Sequence, residues 1–224
     1  MAIDNENSDR QISDKRLEQR LRNKAMHYLS RYSSTTAKLE GVLRRFVLRK
    51  IGEVPQDQLN RCIEAVIDNC VSAGYVDDSA YVRSRFRGAR NAGQSYRMIA
   101  TKLKAAGISA SQIEDEWQAM LAAEGDDSQT MQAVKADNQP DNLASEDEIE
   151  LVAAIQFARK KKLGCFAQVI EDADPLALKQ SILGRLARRG FRYHICAELL
   201  NFEHSEDALA RADEISARLP SSFG

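Results

Sequence analysis

The sequence predicts an all-α fold, arranged as three tandem three-helix repeats in an elongated array. The first observation is the spacing of apolar residues. Leu39, Val42, Leu43, Phe46 and Val47 recur at i, i+3, i+4, i+7 and i+8, which places them on one helix face. The second is that no segment alternates apolar and polar residues as a half-buried strand does. The third is a set of glycines and capping residues that separate the periodic segments.

The first repeat follows a polar stretch of about twelve residues that is expected to be disordered. A charged helix is expected from Lys15, and Ser33–Ser34 are expected to supply a break and the N-cap of the next helix. Gly52 is expected to end that second helix. Pro55 suits the first turn of a third helix, because its fixed φ is already helical.

The second repeat begins at a junction between two helices. Gly74 is expected to end the preceding helix in the left-handed conformation. Asp77 or Asp78 is expected to cap the next one. Gly93 divides the first and second helices of this repeat, and Gly107 ends the second. The apolar face of the predicted third helix comprises Ile113, Trp117, Met120 and Leu121.

The third repeat follows an acidic segment that is poor in large apolar residues and is therefore expected to be flexible. Ser145 to Glu148 has the pattern of a capping box, and a strongly apolar helix is expected after it. Asp174–Pro175 is expected to start another helix, which ends at Gly190. The predicted organisation is an N-terminal extension at 1–23, repeats at 24–76, 77–123 and 146–204, an acidic linker or insertion at 124–145, and a tail at 205–224.

An internal repeat supports this organisation. Each unit contains an apolar pair at i and i+4 followed by basic residues, and the pairs are Leu39/Leu43, Ile99/Leu103 and Ile182/Leu186. Recurrence of one supersecondary unit is typical of helical arrays in which each module packs on its neighbour.

Charge is strongly segregated although the formal net charge is only −1. Residues 15–50 hold eleven Lys or Arg against two acids, and residues 81–107 hold seven against none. Residues 158–192 hold nine against three, whereas 124–150 hold nine acids against one lysine. Basic clusters in all three repeats predict a surface that binds a phosphate backbone or an acidic protein. The candidate contacts are Arg44, Arg45, Arg83, Arg87, Arg90, Arg97, Lys102, Lys104, Arg188 and Arg189.

Three of these candidates are expected to point together. Arg83, Arg87 and Arg90 stand at i, i+4 and i+7 on one predicted helix, whereas Arg85 lies roughly opposite. No acid lies between Tyr81 and Gly107 to balance them locally.

Patterns of catalysis and metal binding are missing from the sequence. Gly88 to Ser95 resembles a phosphate-binding loop but has Gln94 where the lysine belongs, and a basic helix precedes it instead of a strand. The cysteines form no C-x-x-C pair, and the three histidines show no metal-ligand spacing with them. No apolar run approaches the length of a membrane span, and the N-terminus has no signal-peptide core. We therefore expect a protein without catalysis, metal or cofactor.

Residues 74–81, which read GYVDDSAY, resemble the signature of the RecX family, the bacterial regulators of the RecA recombinase. The similarity continues through Arg83 to Arg90 and Gly93, through Ile99 to Ile108, and at Arg188-Arg189-Gly190-Phe191. The resemblance implies three tandem three-helix repeats in a cytoplasmic monomer that is not an enzyme. It also implies binding in the groove of the RecA–DNA filament, where the family restrains strand exchange and ATP hydrolysis and so regulates DNA repair and recombination.

Two other classes of protein remain open. One is a direct DNA-binding protein whose three-helix units act as helix-turn-helix modules. The other is a structural adaptor without a nucleic-acid role. Direct DNA binding is expected to weaken steeply with salt, whereas filament binding is expected to require the recombinase and to show a shallower salt slope.

Overall fold

Helices account for all the regular secondary structure that the computed structural model describes, at residues 12–122, 144–167 and 174–219. Within these ranges no strand occurs, so the prediction of an all-α fold is confirmed. The expected flexibility of the acidic segment and disorder of the N-terminal stretch fall on residues outside these ranges. The helices are α1 (Asp14–Leu29), α2 (Thr36–Lys50), α3 (Gln56–Ser72), α4 (Asp78–Asn91), α5 (Tyr96–Ala105), α6 (Ala110–Ala122), α7 (Glu146–Lys161), α8 (Pro175–Arg188), α9 (Tyr193–Leu200) and α10 (Ser205–Ser216), with a 3₁₀ helix at Gly164–Phe166.

The chain forms two compact units. The first comprises the residues up to Tyr81 together with Ala105–Ser109, and the second comprises Val82–Lys104 and the chain from Ala110 onward. Helix α4 begins in the first unit and continues in the second. The division into three repeats stays a prediction.

The core of the first unit lies among α1, α2 and α3. Leu17, Leu21 and Ala25 of α1 stand four residues apart and are fully buried, because this spacing keeps them on one helix face. Leu39 and Leu43 of α2 are buried in the same cluster. The predicted N-terminal extension at 1–23 therefore includes the start of a core helix.

The N-cap of α2 differs from the prediction. Thr35, and not Ser33–Ser34, occupies it, and its hydroxyl accepts a hydrogen bond from Lys38 N. The same hydroxyl donates to the carbonyl of Ala106 at 2.6 Å. A contact across 71 residues of sequence thus fixes which of three neighbouring hydroxyl residues becomes the cap.

The junction between α3 and α4 matches its sequence signals. Gly74 adopts φ +72° and so ends α3 in the left-handed region. Asp77 caps α4 by accepting from Ala80 N at 2.8 Å. Asp78 instead accepts from the backbone and the hydroxyl of Thr36, at 2.9 and 2.7 Å, and so holds the start of α2.

Helix α7 is central to the second unit. Its buried residues include Leu151, Val152, Ala153, Ala154 and Ile155, five consecutive positions that cover all faces of the helix. Helices α9 and α10 both pack against it. The capping box predicted at Ser145 and Glu148 is confirmed, since both of its hydrogen bonds are present.

The turn between α4 and α5 also packs on α7. Gly93 has φ +70°, and a Cβ at this position would lie 2.7 Å from the backbone nitrogen of Phe157. Only glycine therefore permits this approach. The turn positions the basic residues of α4 and α5 relative to α7.

Candidate basic interaction surface

The three arginines predicted to share a face of α4 lie in different environments. Arg83 is half-buried and forms an ion pair with Glu116 of α6, with 2.7 Å between Nη1 and Oε2. Arg87 is exposed, whereas Arg90 is only 8 % exposed. The prediction that these arginines are contacts is wrong for Arg90, because residues of α6 and α7 cover its side chain.

Arg90 is a structural residue of the second unit. Its Nη2 donates to the carbonyl of Ile149 at 3.0 Å, and its guanidinium lies 5.8 Å from the centre of the Trp117 ring. Burial lowers the pKa of Arg90 to about 10, and the nearby Glu150 opposes that shift. The side chain is therefore still charged at neutral pH. It is not available to an external partner.

Glu150 completes this buried polar group. Burial raises the pKa of Glu150, while hydrogen bonding by the backbone N–H of Tyr96 and the charge of Arg90 both oppose the rise. The hydrogen bond from Tyr96 N measures 2.6 Å and satisfies one of the free N–H groups at the start of α5. A half-buried carboxylate is tolerated here because a cation and an N–H group face it.

Phe86, Tyr96 and Trp117 form an aromatic cluster with ring centres 5.0 to 5.6 Å apart. Phe86 and Trp117 are buried. The Tyr96 hydroxyl donates to Glu114 at 2.6 Å, and burial followed by this hydrogen bond raises the pKa of Tyr96. The cluster packs the helices together, as expected for Trp117.

The basic residues of α5 are accessible. Arg97, Lys102 and Lys104 are exposed, and the Lys102 ammonium donates to the side-chain oxygen of Gln94. Arg97 and Lys104 line a cavity of about 640 Å³ within the second unit, together with three carboxylates. These carboxylates belong to Glu114, Glu146 and Glu150.

The structure brings the turn after α8 against the start of α5. The buried Ser95 hydroxyl donates to the carbonyl of Arg189. A Cβ added to Gly190 would lie 3.4 Å from the Cβ of Arg97. Two predicted contacts from distant parts of the sequence, Arg97 and Arg189, are thus neighbours. The exposed Arg188, which is the last residue of α8, immediately precedes Arg189.

The candidate contacts in the first unit are Arg44 and Arg45. Arg44 is half-buried, forms an ion pair with Glu40 at 2.7 Å and donates to Asn60 at 2.9 Å. Arg45 is exposed. The two neighbours therefore differ, because Arg44 already has a carboxylate partner on its own helix.

The segment that resembles a phosphate-binding loop has a structural role. Gly88 lies inside α4, and Ser95 is buried at the start of α5, where its oxygen accepts from Met98 N at 3.2 Å. A helix precedes the segment where a phosphate-binding loop requires a strand. The prediction that Gly93 separates two helices is confirmed.

A second cavity contains two basic residues that the sequence analysis missed. Lys161 and Arg185 line a space of about 300 Å³ together with Phe157, Arg188 and Arg189. The available signal was their position in the last turns of two successive helices, where basic residues commonly lie. This signal does not reveal that the two helix ends line the same cavity.

Metal-binding groups are not assembled within the described ranges, where no cluster of three or more His, Cys, Asp or Glu side chains suits a metal ion. Cys62, Cys70 and Cys196 are buried free thiols, and Cys165 is partly buried. Among the same residues no helix is long and apolar enough to cross a membrane.

The described helices form an all-α fold that exposes several arginines and lysines. No protein-family model matches the chain. Its fold is similar to the crystal structure of RecX from Lactobacillus salivarius, with a TM-score of 0.54 and 16 % identity over 82 % of this chain and 94 % of that one. A second crystal structure, of regulatory protein RecX, has the same TM-score and identity over 87 % of this chain and 73 % of that one.

Two sequence relatives extend this likeness beyond the fold. The regulatory protein RecX of Myxococcus xanthus (strain DK1622) is 30 % identical over 185 residues, which cover 81 % of this chain and 84 % of the relative. The regulatory protein RecX of Agrobacterium fabrum (strain C58) is 24 % identical over 193 residues, which cover 85 % and 88 %. The chain belongs to the RecX family.

Proposed function

We propose that this protein regulates the RecA recombinase by binding the RecA–DNA filament, and that it inhibits ATP hydrolysis and strand exchange. The observation that carries the proposal is the likeness to a protein named regulatory protein RecX, at 30 % identity over 81 % of this chain and 84 % of that protein. The protein acts in this proposal as a cytoplasmic monomer and by binding alone, without catalysis of its own.

The exposed basic residues support a contact with the filament. Arg45 in the first unit and Arg87, Arg97, Lys104 and Arg188 in the second are exposed. Such side chains can approach nucleic-acid phosphates or acidic protein surfaces without unfolding. Arg44, Arg87, Lys102 and Arg189 are secondary candidates because each already interacts with another group or lies partly buried. Arg83 is a poorer candidate because it already pairs with Glu116. Arg90 is no longer a candidate because it is buried.

The test adds the purified protein to RecA filaments assembled on single-stranded DNA and measures ATP turnover and strand exchange. We expect both rates to fall with increasing protein. A mixture that hydrolyses ATP and exchanges strands at undiminished rates, at protein concentrations saturating for the filament, would contradict the proposal.

Direct DNA binding is the alternative function, and the exposed arginines and lysines support it. A parallel titration with DNA alone, at several salt concentrations, separates the two. Affinity for naked DNA that equals affinity for the filament, with a steep salt slope, would favour the DNA-binding protein.

A further inference from the structure

The cavity between the ends of α7 and α8 is lined by four cations and one aromatic ring. Lys161 belongs to the last turn of α7, Arg185 and Arg188 to the last turn of α8, and Arg189 caps α8. Phe157 supplies the ring. No carboxylate lines the cavity among the residues that the structure describes, so its lining carries four positive charges.

Several other basic residues of the second unit pair with carboxylates, whereas among the described residues these four cations do not. Arg83, Arg192 and Arg211 each form an ion pair with a carboxylate. None of the four cavity cations pairs with a carboxylate in the described part of the chain. Their charge is therefore not compensated by the described fold.

A position near a helix C-terminus explains each cation by itself, but it does not explain why four cations line one cavity. A cation in the last turn of a helix is stabilised by the helix dipole. Four like charges brought to one cavity repel one another. An anion with several negative charges in the cavity would offset this repulsion.

The floor of the cavity is held in place by the second unit. The guanidinium of Arg189 lies 4.8 Å from the centre of the Phe157 ring, a cation–π contact, and Phe157 is only 6 % exposed. The Arg189 carbonyl accepts from the buried Ser95 hydroxyl, and Gly93 packs against the Phe157 backbone. Arg189 is thus positioned before any ligand arrives, which lowers the entropy cost of binding.

We propose that this cavity binds two adjacent phosphate groups. Guanidinium groups match phosphate oxygens with paired hydrogen bonds, and three of the four cations are arginines. Four positive charges in about 300 Å³ suit a ligand with two to four negative charges. Both a free polyphosphate or nucleotide and two consecutive phosphates of a nucleic-acid backbone have this chemistry. The inference concerns the second unit alone and does not depend on the recombinase.

The test measures binding of the full chain to inorganic tripolyphosphate and, separately, to a short single-stranded oligonucleotide, with no recombinase present. The variant R185A/R188A removes two exposed cavity cations, and alanine favours the helix at both positions. The matched control R159A/K179A removes two exposed cations from the same two helices outside the cavity. We expect roughly tenfold or greater weakening for R185A/R188A and less than about threefold for the control. The salt slope for the oligonucleotide should drop by about two only in the cavity variant.

The outcomes separate the sources of phosphate. Tight tripolyphosphate binding that depends on the cavity assigns a free polyphosphate or nucleotide as the ligand. Cavity-dependent oligonucleotide binding that tripolyphosphate fails to displace assigns the nucleic-acid backbone. Equal weakening in the cavity and control variants, or no binding of either probe, would overturn the proposal. So would a polyglutamate peptide that binds as tightly as the phosphate probes and loses its affinity in the same variant, since the surface would then recognise carboxylates.

Discussion

Arg90 shows how a single side chain changes role between sequence and structure. In the sequence it continues a row of arginines at helical spacing, without a nearby acid to suggest a partner. In the folded unit its partners come from α6 and α7, with Ile149 standing 59 residues away. Spacing along one helix predicts which side chains share a face. It does not predict which part of that face a later helix covers.

Replacement of Arg90 is expected to destabilise the second unit. Arg90→Ala removes the hydrogen bond to the Ile149 carbonyl, leaves a void beside Trp117 and takes a cation away from the half-buried Glu150. The expected loss in the free energy of unfolding is about 2–4 kcal/mol. Urea denaturation of Arg90→Ala and Lys179→Ala measures it, and replacement of the exposed Lys179 in α8 should change stability by less than about 0.5 kcal/mol. Equal midpoints for the two variants would show that the buried network contributes nothing.

The glycines of the chain were predictable at the same scale. Gly74 adopts φ +72°, as its place between two helical patterns predicted. The steric clash that an added side chain would cause at a glycine is not predictable from its place between two helical patterns. A Cβ at Gly74 meets nothing within 4 Å, whereas one at Gly107 would lie 2.2 Å from the Cβ of Ala37. The backbone conformation is a local property, but the close approach at Gly107 is tertiary.

At the scale of the element, helix existence was predictable and some helix starts were not. The apolar period determines that α2 forms, since it buries Leu39, Leu43 and Val47 on one face. Its first residue depends on the hydrogen bond between Thr35 and Ala106. Asp77 and Asp78 are chemically equivalent in sequence, and the contact of Asp78 with Thr36 leaves Asp77 as the cap. Local chemistry offers several caps, and tertiary contacts select one.

At the start of α7, the carboxylate of Glu148 is expected to make the stability of the fold depend on pH. Glu148 accepts from Ser145 N at 2.9 Å, from Arg211 at 2.8 Å and from Arg218 at 2.7 Å. The hydrogen bond to Ser145 N, followed by that from Arg218, lowers the pKa of Glu148 to about 2. Because the pKa is lowered in the folded state, the ionised carboxylate stabilises the fold above its ordinary pKa of 4.5. That stabilisation is lost as the pH falls from 4.5 to about 2.

Glu148→Gln should therefore destabilise the protein on the order of 1–2 kcal/mol at neutral pH. The difference from the unmodified protein should shrink as the pH falls toward about 2. Urea denaturation across this pH range measures it, with Glu206→Gln in the exposed first turn of α10 as the control. A deficit for Glu148→Gln that stays constant with pH would mean that the carboxylate charge does not stabilise the cap.

At the scale of the whole molecule, segregation of charge is more informative than its sum. The net charge of −1 conceals basic clusters that the sequence locates correctly along the chain. Folding then sorts these clusters into buried, paired and exposed side chains, as Arg90, Arg83 and Arg97 illustrate. The cavity that joins Lys161 to Arg185 requires the packing of α8 near α7. No short-range pattern in the sequence encodes that packing.

The remaining prediction concerns filament inhibition and uses exposed residues only. Arg97 and Lys104 lie on α5, are exposed, and pair with no carboxylate within the described ranges. R97A/K104A should raise the protein concentration needed for half-inhibition of RecA ATP hydrolysis roughly fivefold at low salt, because two charges that attract the filament are removed. The difference should diminish as salt approaches about 0.3 M, since exposed charges are then screened. The control R159A/K179A removes the same charge from α7 and α8, and circular dichroism checks that both variants are folded. Unmodified inhibition by a folded R97A/K104A would exclude α5 as the contact, whereas equal weakening by the control would indicate attraction to overall charge instead of a defined surface.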